Sequence, residues 1–298
     1  MNIDVYNHVR SGGAGFIEMP RGLIAVWGKE AVQFLDGLIT NDMKTFEDGQ
    51  QMLAAFPNAQ GRLLAVVRVL RQGDRFLFET EEATREKLFN SLFRFTYAGD
   101  FFVEDLSIKY RYIELIGDRL RILPEHCHIF HSKTRTSYFI PNKTAEKLIA
   151  GLPEPNTNVV EITADLNETL RIESGIATYG VDMDENTIVP ELGLDAMISY
   201  NKGCYIGQEI IARIHFRGHV AKQLTGLVFQ DADKGVHVPA DLTTVDGKNA
   251  GRVTSVTYSP KLDKTIAFAF VRYDYLAVGT ELKCGDLDVA VTSLPFLN

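Results

Sequence analysis

Cysteine and tryptophan are scarce in this 298-residue chain, which has one tryptophan and three cysteines, Cys127, Cys204 and Cys284. Thiols so few and so scattered build no disulfide framework. Their odd number leaves at least one free in a monomer, which points to a reducing compartment. No glycine-rich phosphate loop, no Cys-x-x-Cys pair and no His-Glu-x-x-His occurs, so the commonest nucleotide, redox and zinc signatures are excluded. No apolar run approaches the ~20 residues that span a bilayer, and residues 1–8 lack the basic patch and apolar core of a secretory signal. A soluble, cytoplasmic protein with no membrane partner is therefore expected. Positive charge is also short: 31 Lys and Arg stand against 39 Asp and Glu, a net charge of −8 that would repel a phosphate backbone. No direct nucleic-acid partner is expected. Proline-rich, Gly/Ser-rich and repeated segments are missing too, as in an ordinary globular protein.

A chain of this length exceeds one hydrophobic core, so two or three domains are expected. Apolar residues at 31, 34, 35 and 38 mark an amphipathic helix ending near Thr40-Asn41-Asp42. Residues 52–56 and 63–70 read as a hairpin around the turn residues 57–61, and residues 75–79 as a third strand. Thr80 is expected to cap a helix with apolar positions 88, 92 and 95. Strand-like alternation dominates 109–140, with turns near Gly117-Asp118 and Pro124-Glu125. A helix over 143–150, a connector at 153–156 and a helix from Thr163 to a stop at Gly175 follow. From 222 onward short strands with turns at 246–247, 259–260 and 285–286 suggest a small antiparallel barrel or sandwich.

The most informative stretch is Lys202-Gly203-Cys204-Tyr205-Ile206-Gly207-Gln208-Glu209. Apolar residues at 210, 211 and 214 predict a helix starting just after Gly207. Cys204 is then expected ahead of that helix N-terminus, where the dipole and Lys202 would favour a thiolate. The same context also suits a buried cysteine packed as a small apolar plug beside turn glycines. Residues 213–222 concentrate positive charge, either to complement the helix C-terminus or to meet a small anion. The acid-rich loop 179–185 is either a solvated turn or a recognition surface for a flat heterocycle. Glu125-His126-Cys127-His128-Ile129-Phe130-His131 offers zinc-type ligands. In a strand, however, His126 and His128 would face away from Cys127 and His131, so no metal is expected there. Cys204 alone could hold no iron–sulfur cluster, so any cluster would be shared with a partner.

Together these residues resemble the YgfZ branch of the folate-binding YgfZ/GcvT family along nearly the whole chain. Lys202 to Glu209 has the branch's form K-G-C-Y-x-G-Q-E, and Arg213, Arg217, Gly218 and His219 continue it. Phe34 to Asp42 matches F-L-x-G-L-x-T-N-D, and Gly61 to Leu64, Arg171 to Ile176, Pro190 to Asp195 and Gly251 to Ser255 match further family signatures. The resemblance implies an α+β protein: interleaved α/β subdomains over 1–221, then a C-terminal antiparallel β-barrel over 222–298. It implies a tetrahydrofolate site and a role in assembly or repair of iron–sulfur enzymes, including tRNA-modifying radical enzymes, which would be the partners. Cys204 and Lys202 would be the reactive pair. By position in the family pattern, Tyr179 and Asp182 would meet the pterin, Arg213 and Arg217 the glutamate tail, and Glu191 would also belong to the cofactor site. The family's aminomethyltransferases carry an aspartate pair where this chain has Ala65 and Val66, and they lack the motif cysteine. A folate-dependent aminomethyl- or methyltransferase is therefore the alternative; if the chain is an enzyme, that would be its class.

Overall fold

Burial on both faces explains the first sheet. In a computed structural model describing residues 1–117, 120, 123–153, 157–230 and 235–297, the chain divides into two interleaved compact units. The first comprises Met1–Pro57, Leu64–Asn167 and Ala196–Ile206. It opens with α1 (Ile3–Arg10), capped by the Asn2 side chain, which accepts from Asp4 N and Val5 N. Then come β1 (Ala14–Glu18), β2 (Arg21–Trp27), α2 (Ala31–Leu38), β3 (Gln51–Pro57), β4 (Leu63–Gln72), β5 (Arg75–Glu81) and α3 (Glu82–Phe93). β6 (Phe102–Asp105), β7 (Tyr110–Ile116), β8 (His128–His131), β9 (Arg135–Pro141), α4 (Asn142–Ala150) and β10 (Val159–Glu161) follow, and α5 (Ala164–Glu173) passes along the chain from this unit, at Asn167, into the second.

One sheet runs β3-β4-β5-β2-β6 and the other β10-β1-β7-β9-β8. On β2, Ile24 and Val26 join a cluster with Leu35 of α2 and Leu88 and Leu92 of α3, while Leu23 and Ala25 pack with Tyr112, Phe130 and Phe139 of the second sheet. α4 places Ala145 in a further cluster with Ile113, Tyr138 and Ile140 of that sheet. The unit is thus layered helix, sheet, sheet, helix, and β2, with apolar residues on both faces, reads as an unbroken apolar run.

Charge crosses the seam between the sheets. Glu79 on β5 pairs with Arg21 (2.9 Å) and Arg68 in its own sheet; across the seam Arg68 donates to the Ser137 hydroxyl of β9 at 2.6 Å and the Tyr112 hydroxyl of β7 donates to Glu79 Oε1 at 3.4 Å. Burial alone would raise the Glu79 carboxyl, but the Arg68 and Arg21 charges outweigh it and hold the group at about 2.

The second unit comprises Asn58–Leu63, Glu168–Asp195 and Gly207–Asn298. It carries α6 (Gln208–Arg217) and six strands: β11 (Lys222–Phe229), β12 (Ala240–Thr243), β13 (Asn249–Ser259), β14 (Lys264–Arg272), β15 (Glu281–Cys284) and β16 (Leu287–Thr292). These close into an antiparallel barrel, β11-β14-β13-β12-β15-β16, around Leu227, Val253, Ala269, Leu282 and Val291.

Two local expectations need correction. Thr80 does not cap α3: Glu81 holds that position, and the Thr80 hydroxyl lies 2.7 Å from Thr84 Oγ1 and donates to Val66 O at 3.2 Å. The 125–131 segment is not one strand, because His126 turns at a left-handed φ of 64° and β8 starts only at His128. Asp118 and residues 154–156 of the expected turn and connector lie outside the described residues.

Candidate functional site

The Cys204 loop is held in the first unit by the segment that follows α2. Thr40 donates to Met197 O at 2.7 Å, Ser199 N to Thr40 O at 2.9 Å, and Ile206 N to Gly37 O at 3.0 Å. At the centre, the Lys202 ammonium donates to the carbonyls of Asp36 (2.6 Å), Ile39 (2.9 Å) and Asn41 (2.7 Å) and lies 3.1 Å from Asp36 Oδ1. These carbonyls belong to the end of α2 and its exit, where backbone acceptors lack helical partners, so one buried cation satisfies them together. Burial pulls Lys202 below the ordinary lysine range, partly offset by Asp36. The Asp36 carboxyl resists its own burial through Met43 N and Lys202 and titrates low.

This corrects the role expected for Lys202. Its three N–H groups are spent on backbone carbonyls, so it anchors the loop rather than standing as a free cation by the thiol. An exposed ammonium beside the loop is that of Lys44, 3.2 Å from Asp36 Oδ2; a Cβ placed on Gly203 would lie 3.6 Å from its Nζ. Cys204 itself is exposed, whereas Cys284 is buried and Cys127 half-buried. The plug reading therefore does not hold. In the chain Cys204 precedes α6, which starts at Gln208 with Gly207 as N-cap, by Tyr205 and Ile206.

In the second unit the expected ligand carboxylate is already taken. Asp182 Oδ2 accepts from Arg171 Nη1 (2.6 Å) and Thr178 N (2.9 Å), and Oδ1 from Thr254 (2.8 Å) and Ser255 (2.6 Å). Four donors use the acceptor sites of a carboxylate, and the side chain is fully buried. Asp182 is thus a structural anchor and is withdrawn as a pterin contact. Consecutive strand residues normally face opposite sides. Thr254 and Ser255 reach one oxygen because β13 bulges between Val253 and Ser255. The family signature over 251–255 is therefore the sequence of this bulge. Periodicity gave no sign of Arg171, Thr254 and Ser255 as a unit; the signal was only their separate membership in motifs.

Glu191 differs. It is buried, its Oε2 accepts from Ile188 N at 3.1 Å, and Oε1 has no partner among the described residues. Burial raises its carboxyl, with Lys222 and Arg62 pulling the other way. Tyr179 is half-buried in the loop that bridges to Met183. Arg213 and Arg217 are exposed, one turn apart on α6, with no carboxylate partner among the described residues.

Among the described residues, no group of three or more His, Cys, Asp and Glu could hold a metal, and no helix is long and apolar enough to cross a membrane. Residues 222–297 match the model of the glycine cleavage T-protein C-terminal barrel domain. A relative named iron–sulfur cluster assembly factor IBA57 homolog, mitochondrial, from Mycosarcoma maydis is 29% identical over 76% of this chain. The chain spans 59% of that relative's length. An aminomethyltransferase of Thermoanaerobacter pseudethanolicus is 25% identical over 94% of the chain and 84% of its own length. In fold, the chain resembles the glycine cleavage aminomethyltransferase of Bartonella henselae with a TM-score of 0.89, at 21% identity over 99% of this chain and 89% of that one. The chain is thus similar in sequence to aminomethyltransferases and to an iron–sulfur cluster assembly factor, and it shares the aminomethyltransferase fold.

Positions 65 and 66 of β4 are where the resemblance sets its two branches apart. Ala65 is buried among apolar residues with Leu35 and Phe78, and Val66 offers its carbonyl to Thr80. Neither supplies a carboxylate.

Proposed function

We propose that this chain binds tetrahydrofolate and supports the assembly or repair of iron–sulfur enzymes, tRNA-modifying radical enzymes among them, with Cys204 as the functional thiol. The observation that carries this reading is the Cys204 loop: an exposed thiol on a backbone fixed by a buried lysine and three carbonyls. A rigid mount under a reactive side chain is what positioning requires. One thiol ligates only part of a cluster, so a client enzyme or second thiolate completes the set. The iron–sulfur relative supports the same role. The second unit's residues fit the folate: Glu191 offers a free carboxylate oxygen to pterin N–H groups, Tyr179 an aromatic face, and Arg213 and Arg217, without a carboxylate partner among the described residues, guanidinium groups for carboxylates.

Replacing Cys204 with Ser should reduce iron–sulfur client activity in a complemented deletion strain to the level of the deletion, with unchanged thermal unfolding. Wild-type activity from C204S would rule the thiol out. Anaerobic calorimetry with tetrahydrofolate should show saturable binding, weakened about tenfold by Glu191→Gln.

The whole-chain similarity to aminomethyltransferases supports a second reading, folate-dependent aminomethyl transfer. It lacks an acid/base group at positions 65 and 66. Turnover of an aminomethyl donor with tetrahydrofolate in vitro would reverse the ranking.

A further inference from the structure

The histidine–cysteine run plays no part in the site above, yet it borders a cleft of about 560 Å3 in the first unit. The left-handed turn at His126 brings His126, Cys127 and His128 to the same cleft, where a continuous strand would have separated them. A left-handed backbone is strained for a non-glycine residue and is found preferentially at functional positions.

The chemistry of the walls is specific. His128 Nδ1 lies 3.0 Å from Gln72 Oε1 and Nε2 3.1 Å from the Tyr110 hydroxyl. The Gln72 oxygen can only accept, so Nδ1 carries the proton and Tyr110 donates to Nε2. Burial, aided by His126 and Arg75, lowers His128 to about 4, so its ring is neutral; burial also pushes the Cys127 thiol up. Lys109 and Glu104, 2.5 Å apart at the rim, cancel each other. Arg75 remains: its guanidinium lies over Trp27, 4.7 Å from the ring centroid, with no carboxylate partner among the described residues. Buried Leu77 and Leu106 supply apolar wall, and the Tyr110 and His128 rings stand 5.0 Å apart.

We propose that this cleft binds a small monoanion with a planar apolar body, of the aromatic carboxylate class, its carboxylate on Arg75 and its ring against Leu77, Leu106 and Tyr110. One uncompensated cation matches one negative charge. The volume lies within the ~300–1,000 Å3 of small-molecule sites and far exceeds what a bare anion fills.

Benzoate is the probe, with benzamide as its neutral counterpart, read by calorimetry and by the histidine C2–H resonances assigned with His126→Asn and His128→Asn. A ligand of this size should saturate with a dissociation constant on the order of 1 mM. The His126 and His128 resonances should move, and benzamide should leave them in place. Arg75→Gln should weaken benzoate at least about fivefold and Arg75→Lys far less, both with unchanged thermal unfolding. Prior saturation with folinic acid should leave benzoate binding intact. No saturation by benzoate, equal binding of benzamide, an unaffected R75Q, or competition by folinic acid would each overturn the proposal.

Discussion

At the scale of single residues, two charged side chains matter for what they hold. Asp182→Ala would leave the Arg171 guanidinium buried opposite two orphaned hydroxyls. The expected loss is about 3–5 kcal/mol, read as a lower urea midpoint. A pure ligand contact would instead lose folinic acid affinity at constant stability, so one pair of measurements separates the roles. Lys202→Met removes the shared donor of three carbonyls, and faster hydrogen exchange is expected at the Ser199 and Ile206 amides, which donate to the same segment. Both residues stood out in the sequence, but their work did not. Lys202 meets Asp36 across 166 positions and Asp182 meets Ser255 across 73, distances at which local spacing is silent.

At the scale of elements, legibility followed periodicity. α2, the β3–β4 hairpin, β5 and the barrel turns were visible because apolar spacing and turn residues agree there. α1 was missed because it buries only Tyr6 and Val9, and β2 because a strand covered on both faces loses its alternation. The bulge in β13 was invisible for another reason: an extra residue in one strand has meaning only against its partner strand. The start of α6 is tightly fixed. Gly207 sits at a φ of 80°, and a Cβ there would lie 2.4 Å from Asn58 O. Gly207→Ala should therefore cost more than the ~1 kcal/mol of left-handed strain alone, seen as a drop in Tm.

For the whole molecule, acid should act in two stages. His128 has a folded pKa near 4, below its unfolded value of 6.5, so the stability linked to its neutral form is present above 6.5 and fades as pH falls toward 4. Glu79, held at about 2 against an ordinary 4.5, contributes on the order of 3 kcal/mol that is lost between those values. Urea unfolding across pH 7 to 3 should show both declines; His128→Asn should flatten the first and Glu79→Gln the second.

The interleaving of the two units carries a consequence for the order in which the chain is made. The hexapeptide Asn58–Leu63 leaves the ribosome long before Thr187, whose carbonyl accepts from Leu63 N, and the barrel closes only when β16 arrives to pair with β11. The first unit likewise waits for Ala196–Ile206. The first unit has all its residues only once Ile206 is made and the second only with β16, so a nascent chain stalled before residue 196 would display the α2 exit carbonyls with no lysine to receive them.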